Sequence, residues 1–123
     1  MMKIVTTVLT RDVLWQELHF MIEYFRGMGV KKCGVLLGYS WGLYYYDDQP
    51  WQEEQIDLET LPEFICQLEE KELGNFGDSD LVISLLAMKW DFCHESDIHF
   101  EFEDHDAVAM PFINRWKALG YLK

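Results

Sequence analysis

Apolar side chains recur at helical spacing in three stretches of the chain. The clearest covers residues 11–26, where apolar residues such as Leu14 and Leu18 return every three or four positions, so that one stripe of a helix can face a core. The stretches 60–74 and 109–123 repeat this pattern more briefly. We therefore predict three helices.

The boundaries of these helices carry signals of their own. Thr10 or Asp12 can cap the first helix, and Gly27 or Gly29 can end it. Thr60 and Glu63 have the spacing of a capping box, in which each side chain binds the backbone N–H of the other. Gly74 is a stop signal for the second helix, and Pro111 is tolerated in the first turn of the third.

Four further stretches predict strands. Residues 3–10 read KIVTTVLT and predict a short N-terminal strand. Residues 31–48 carry valine, leucine and tyrosine on both sides of the turn sequence GYSWG, which predicts a hairpin. Residues 81–92 and 97–103 predict a second hairpin, joined through CHES. Alternation in its second strand indicates one buried and one wet face. The buried set is Ile98, Phe100 and Phe102, and the wet set is His99, Glu101 and Glu103.

These elements define an α+β class. We predict an antiparallel sheet built from two hairpins and the short N-terminal strand, with about three helices packed on it. A polar loop follows the first hairpin, with a short helix or strand near Ile56. At 123 residues, the chain has the usual length of one domain, so we expect a single α+β domain over 1–123.

Composition fits a folded protein. Half of the residues are hydrophobic, which excludes a disordered chain despite the net charge of −12. No apolar run reaches the roughly 18–20 residues of a membrane helix, and the N-terminus lacks the features of a signal peptide. Three widely spaced cysteines without a CxxC pair favour buried, reduced thiols. We expect a cytoplasmic protein.

The charge is unevenly distributed along the chain. Residues 33–114 contain nineteen acids and only two bases, Lys71 and Lys89, whereas the two flanks are basic. Binding to nucleic acid or to an anionic membrane needs clustered lysine and arginine, so both are disfavoured. A basic protein partner is favoured, because complementary charge accelerates association.

Residues 90–106 hold seven carboxylates and three histidines without a lysine or an arginine. His94, His99 and His105 lie near acids, but no H-E-x-x-H, H-x-H or cysteine pair completes a zinc motif. Cys93 and His94 are sequence neighbours, which on a strand point to opposite faces. We predict no catalytic site, no metal and no cofactor, and we interpret these histidines as surface residues.

A partner-binding surface is the better interpretation of the acids. The segment YYYDDQPWQEEQ places tyrosine and tryptophan among unneutralised carboxylates, and aromatic anchors with charged rims are typical of interface centres. The wet face of the strand 97–103 adds a second acidic strip. The predicted binding residues are Tyr44, Tyr46, Asp47, Asp48, Trp51, Glu53, Glu54, Glu101 and Glu103.

A small α+β chain with acids gathered in its middle resembles the immunity proteins of bacterial toxin systems, including contact-dependent inhibition and other polymorphic toxins. The resemblance rests on size, charge and the alternation of helices and hairpins. It implies a cognate inhibitor that binds a basic toxin domain, often a nuclease at the C-terminus of a secreted effector.

Other functions remain open at this point. An acidic mimic of nucleic acid would inhibit a DNA-binding enzyme, but it needs an extended array of carboxylates. A small enzyme or a metal-binding domain would use the histidine, cysteine and acid cluster at 93–105. A subunit of a larger assembly would bury its many aromatic side chains against a permanent neighbour.

Overall fold

A six-stranded antiparallel sheet forms the centre of the fold in the computed structural model, which describes residues 1–37 and 53–123. The strand order is β1-β6-β5-β4-β2-β3. The strands are β1 (Met2–Val5), β2 (Lys32–Leu37), β3 (Glu54–Asp57), β4 (Leu81–Leu85), β5 (Met88–Phe92) and β6 (Ile98–Phe102). The helices are α1 (Arg11–Gly27), α2 (Leu61–Glu70) and α3 (Met110–Leu119). The predicted α+β class is confirmed.

One face of the sheet forms the core with the helices. Trp90 of β5 lies against Phe25 of α1, with ring centroids 5.5 Å apart, and against Phe112 of α3 at 5.2 Å. Phe100 of β6 contacts Trp116 of α3 in the same way, at 5.6 Å. These side chains are at most 1% exposed. Helix α2 joins the same cluster through a buried stripe of Leu61, Ile65 and Leu68.

On the other face, which we call the open face, the described side chains of β4, β5 and β6 are half-buried or exposed. In β6 the buried and half-buried positions alternate, as predicted: Ile98, Phe100 and Phe102 are buried, while His99 and Glu101 are half-buried. Cross-strand partners share a face, so Glu101 lies between Lys3 of β1 and Lys89 of β5.

The prediction that residues 81–92 form a single strand of the second hairpin is wrong. Residues 81–92 form two strands, β4 and β5, which pair with each other around Leu86. Leu86 is 64% exposed and has a φ of 54°, a left-handed conformation that leucine seldom adopts. Because no glycine, proline or asparagine marks this turn, the sequence reads as one strand. Strands β4, β5 and β6 are therefore a three-stranded meander.

Helix α1 confirms its prediction, with Thr10 accepting a bond from the Val13 N–H. Helix α2 does not use the predicted capping box. The Thr60 hydroxyl instead donates to the Asp57 carbonyl at 2.8 Å, because Thr60 itself has helical backbone angles. The helix also ends before Gly74, at Glu70.

The remaining predicted strands are shorter than expected or lie partly outside the described residues. The N-terminal strand covers Met2–Val5 rather than 3–10. Strand β2 fills the first half of the first predicted hairpin, and the second half falls outside the described residues. The element near Ile56 is strand β3, which pairs with β2 and is followed by a 3-10 turn.

Candidate functional site

Five of the predicted binding residues lie outside the described residues. They are Tyr44, Tyr46, Asp47, Asp48 and Trp51. The chain leaves β2 after Leu37 and returns to the sheet at Glu53 and β3.

The other four predicted residues occupy different parts of the sheet. Glu53 and Glu54 lie at β3, which is an edge strand of the sheet. Glu101 lies on β6, four strand spacings or about 19 Å away. Glu103 follows the far end of β6 and is exposed. The fold does not bring these four side chains together, and Glu101 has lysines on both sides in register.

Each of the three arginines forms an ion pair with a glutamate that is not among the predicted binding residues. These pairs are Arg11–Glu69 at 2.7 Å, Arg26–Glu59 at 3.2 Å and Arg115–Glu17 at 2.9 Å. The basic flanks of the chain therefore neutralise acids on and around the helices. The basic ends and the acidic middle are partly paired within the fold.

Four acids gather instead at one end of the sheet. Leu37, Leu81, Phe92 and Ile98 are successive partners across β2, β4, β5 and β6, so these strand ends form one edge of the sheet. The acids at this edge are Asp80, Asp91, Glu95 and Asp97, which we call the acidic end. The segment 38–52 begins and ends at this same edge, after Leu37 and before Glu53.

Two acids of the acidic end are buried or half-buried. Asp97 is 6% exposed, and Asp91 is half-buried on the open face opposite His99. Burial raises the pKa of Asp91, and the nearby charge of Asp80 raises it further. Among the described residues, neither Oδ1 of Asp91 nor Oδ1 of Asp97 has a hydrogen-bond partner.

Histidines are the neighbours of these acids. Asp80 accepts a bond from the His94 backbone N–H at 2.6 Å, and its Oδ1 lies 3.0 Å from His94 Nδ1. This contact with Asp80 raises the pKa of His94. His99 Nε2 lies 3.3 Å from Asp97 Oδ1. A shallow groove of about 230 Å³ continues from His99 along the open face towards Lys3 and Lys89.

Cys93 lies between the two histidines and does not have the features of a nucleophile. Burial, followed by neighbouring carboxylates, raises the pKa of its thiol to about 11, so the reactive thiolate is scarce near neutral pH. Its Sγ lies 3.5 Å from His94 Nδ1, the same nitrogen that faces Asp80. A catalytic triad needs the acid and the nucleophile on opposite ring nitrogens, so this arrangement does not favour one.

Sequence reasoning missed Asp80, Asp91 and Asp97 as members of one site. Alternation in MKWDF does place Lys89 and Asp91 on the face opposite Trp90. The meeting of three strand ends, however, depends on the register and on the turn at Leu86, and neither is readable from the residues.

The chain matches no protein-family model, no curated protein and no solved structure. Within residues 1–37 and 53–123, no helix combines the length and the apolar character that crossing a bilayer requires.

Proposed function

We propose that this chain is a non-catalytic immunity protein that acts in the cytoplasm and neutralises a basic toxin domain, with a nuclease as the expected target. The observation that supports this is the acidic end, where Asp80, Asp91, Glu95 and Asp97 lie near one another and the ion pairs described for Asp80, Glu95 and Asp97 are with histidines. Each arginine of the chain is paired at another place. The acidic end thus keeps a negative field for a partner.

Partial burial of a carboxylate strengthens its attraction for a cationic group of the partner. Asp91 is half-buried, and its Oδ1 lacks a hydrogen bond within the described part of the chain. A guanidinium or ammonium group from a partner would supply the missing donor in a partly dry environment, where charge-assisted bonds are strong. Truncating one member of such a pair in a complex costs about 2–5 kcal/mol.

The aromatic and acidic segment is the proposed second part of the surface. Residues 38–52 contain no lysine or arginine, and they connect two points of the sheet edge that carries the acidic end. Tyr44, Tyr46 and Trp51 are the proposed anchors, and Asp47 and Asp48 the proposed steering charges. Glu53, whose carboxylate lies over Gly34, would extend the same surface.

The sheet offers less support for a mimic of nucleic acid. A mimic needs carboxylates in a continuous array, as phosphates are spaced along a duplex. On the open face, however, Lys3 and Lys89 flank Glu101 in register. A compact acidic end suits one cationic cleft better than an extended duplex-binding surface.

The test uses the protein encoded immediately upstream, whose basic C-terminal domain is the expected partner. We would purify that domain with its active site inactivated and measure association with this chain by biolayer interferometry at several salt concentrations. The variant carries Glu95→Lys, in the acidic end, and Glu53→Lys, at the same edge of the sheet; both positions are exposed. We expect its association rate at low salt to fall about tenfold or more, with a flatter salt dependence.

The control carries Glu63→Lys and Glu70→Lys, two exposed positions on α2. It changes the net charge by the same amount, so it separates the position of the charge from its total. An equal loss in both variants would reject the acidic end as the contact surface. Absence of binding by the unaltered chain would reject the upstream domain as its target and, with it, the immunity function.

A further inference from the structure

A thiol, a carboxylate and an imidazole converge at the turn between β5 and β6. The ligand atoms of Cys93, Asp97 and His99 all lie within 4.8 Å of one another. The Asp97 Oδ1 and His99 Nε2 atoms are 3.3 Å apart. The turn is fixed by the bond from the Cys93 N–H to the Asp97 carbonyl at 2.8 Å, so the three side chains come from one short, ordered piece of backbone.

The protein itself does not account for the position of Asp97. Its side chain is 8% exposed, and within residues 1–37 and 53–123 its Oδ1 accepts no hydrogen bond. The contact with His99 lies within ion-pair distance but does not complete a hydrogen bond. A buried carboxylate oxygen without a hydrogen bond is costly, whereas a cation between Asp97 Oδ1 and His99 Nε2 would bind both atoms.

We propose that Cys93, Asp97 and His99 bind a divalent transition-metal ion of the zinc type. Zinc is held by sulfur, nitrogen and carboxylate oxygen at about 2.0–2.3 Å, and the ligand atoms of such a tetrahedron are about 3.3–3.7 Å apart. The Asp97–His99 separation already has this length. The thiol and the imidazole disfavour calcium and magnesium, which prefer oxygen ligands.

A second group shares the same thiol. Asp80, Cys93 and His94 also present ligand atoms within 4.8 Å of one another. Asp80, however, already accepts the His94 backbone N–H, and the His94 side chain is 55% exposed. The group with the buried carboxylate is therefore the stronger site, and the proposal departs from our expectation that the chain binds no metal. The inference does not depend on the proposed function.

The experiment uses the full chain without a histidine tag, freed of metal by a chelator. Cobalt(II) is added as a spectroscopic probe, because bonding to a thiolate gives a near-ultraviolet charge-transfer band and tetrahedral coordination gives intense visible bands. Zinc should then displace the cobalt with a stoichiometry of one. Cys93→Ser and His99→Gln should abolish these bands, while Cys66→Ser and His105→Gln, at exposed positions, should keep them.

Two further variants separate the outcomes. His94→Gln should retain the cobalt spectrum, whereas Asp97→Asn should weaken binding by about 100-fold or more without lowering the melting temperature of the metal-free protein. An unaltered chain without cobalt bands would overturn the proposal. Retention of the bands in His99→Gln, or their loss in His94→Gln, would overturn it as well. A fall in the metal-free melting temperature of Asp97→Asn would assign Asp97 a structural role instead.

Discussion

The buried ion pair between helices α1 and α3 offers a direct test of the packing. Glu17 is 4% exposed, and its carboxylate accepts two bonds from Arg115, through Nε and Nη2, both at 2.9 Å. Trp116 Nε1 donates a third bond at 2.6 Å. Replacing Arg115 by alanine would leave the Glu17 carboxylate with a single donor among the described residues.

The expected loss follows from this geometry. Removing one partner of a buried pair costs about 3–5 kcal/mol. The Arg115 side chain is 30% exposed, so water can replace part of the interaction, and we reduce the loss to about 2–3 kcal/mol. The guanidinium also lies 4.3 Å from the centre of the Phe20 ring, which adds about 0.5–1 kcal/mol. We expect Arg115→Ala to lower the free energy of unfolding by about 3 kcal/mol.

Urea unfolding followed by tryptophan fluorescence measures this loss, since Trp90 and Trp116 are buried. The melting temperature should fall by about 10 °C. Arg115→Lys keeps the charge but not the two-pronged contact, so it should lose less. Lys117→Ala, an exposed position on the same helix, is the control. A loss below about 1 kcal/mol for Arg115→Ala, or one equal to that of the control, would refute this account of the pair.

Three other predictions concern stability and reactivity. Burial opposes ionisation of Glu69, but hydrogen bonds from Arg11 and the Phe76 backbone N–H outweigh it and lower the pKa of this carboxyl. Glu69→Gln should therefore destabilise the fold by about 1 kcal/mol at pH 7. Equilibrium unfolding from pH 7 to 2 should show this difference fading as the pH falls through the lowered native pKa and the wild-type carboxyl is protonated. Gly120 has a φ of 75°, so Gly120→Ala should lower the free energy of unfolding in urea by about 1 kcal/mol. Gly27→Ala, with nothing within 4 Å of the added Cβ, should not destabilise the helix. Equal losses in the two variants would contradict the role of the left-handed angle at Gly120. Cys66 is the exposed thiol among the three cysteines. Titration with a disulfide reagent at pH 8 should therefore show one fast-reacting thiol per chain, which is absent in Cys66→Ser. Two fast-reacting thiols would contradict the burial of Cys33 and Cys93.

The helices were predictable because their signals are local. Apolar spacing over 11–26 reflects the one face of α1 that meets the core, and Gly120 ends α3 as its position after the last apolar turn indicates. Glu17 escaped notice, since a single acid in a helix reads as solvent-exposed. Its burial depends on Arg115, which lies 98 positions away.

The turn at Leu86 and the site at the sheet edge were less accessible to sequence reasoning. An apolar run gives no signal for a left-handed leucine, so the division between β4 and β5 was missed. Without that division the strand register is wrong, and Asp91 cannot be placed opposite His99. The net acidity was readable, but the pairing of Arg11 with Glu69 requires the folded arrangement of α1 and α2.

The pairing of β1 with β6 has a consequence for how the protein is made. Met2 is paired in register with Phe102, and Thr6 forms a bridge to Leu122. During synthesis, at about 5–20 residues per second, the first strand must wait several seconds for its neighbour to leave the ribosome. The meander β4-β5-β6 can form earlier, because its contacts are close in sequence. Strand β1 is thus among the last parts of this fold to be ordered, and a chaperone has most opportunity to act on it.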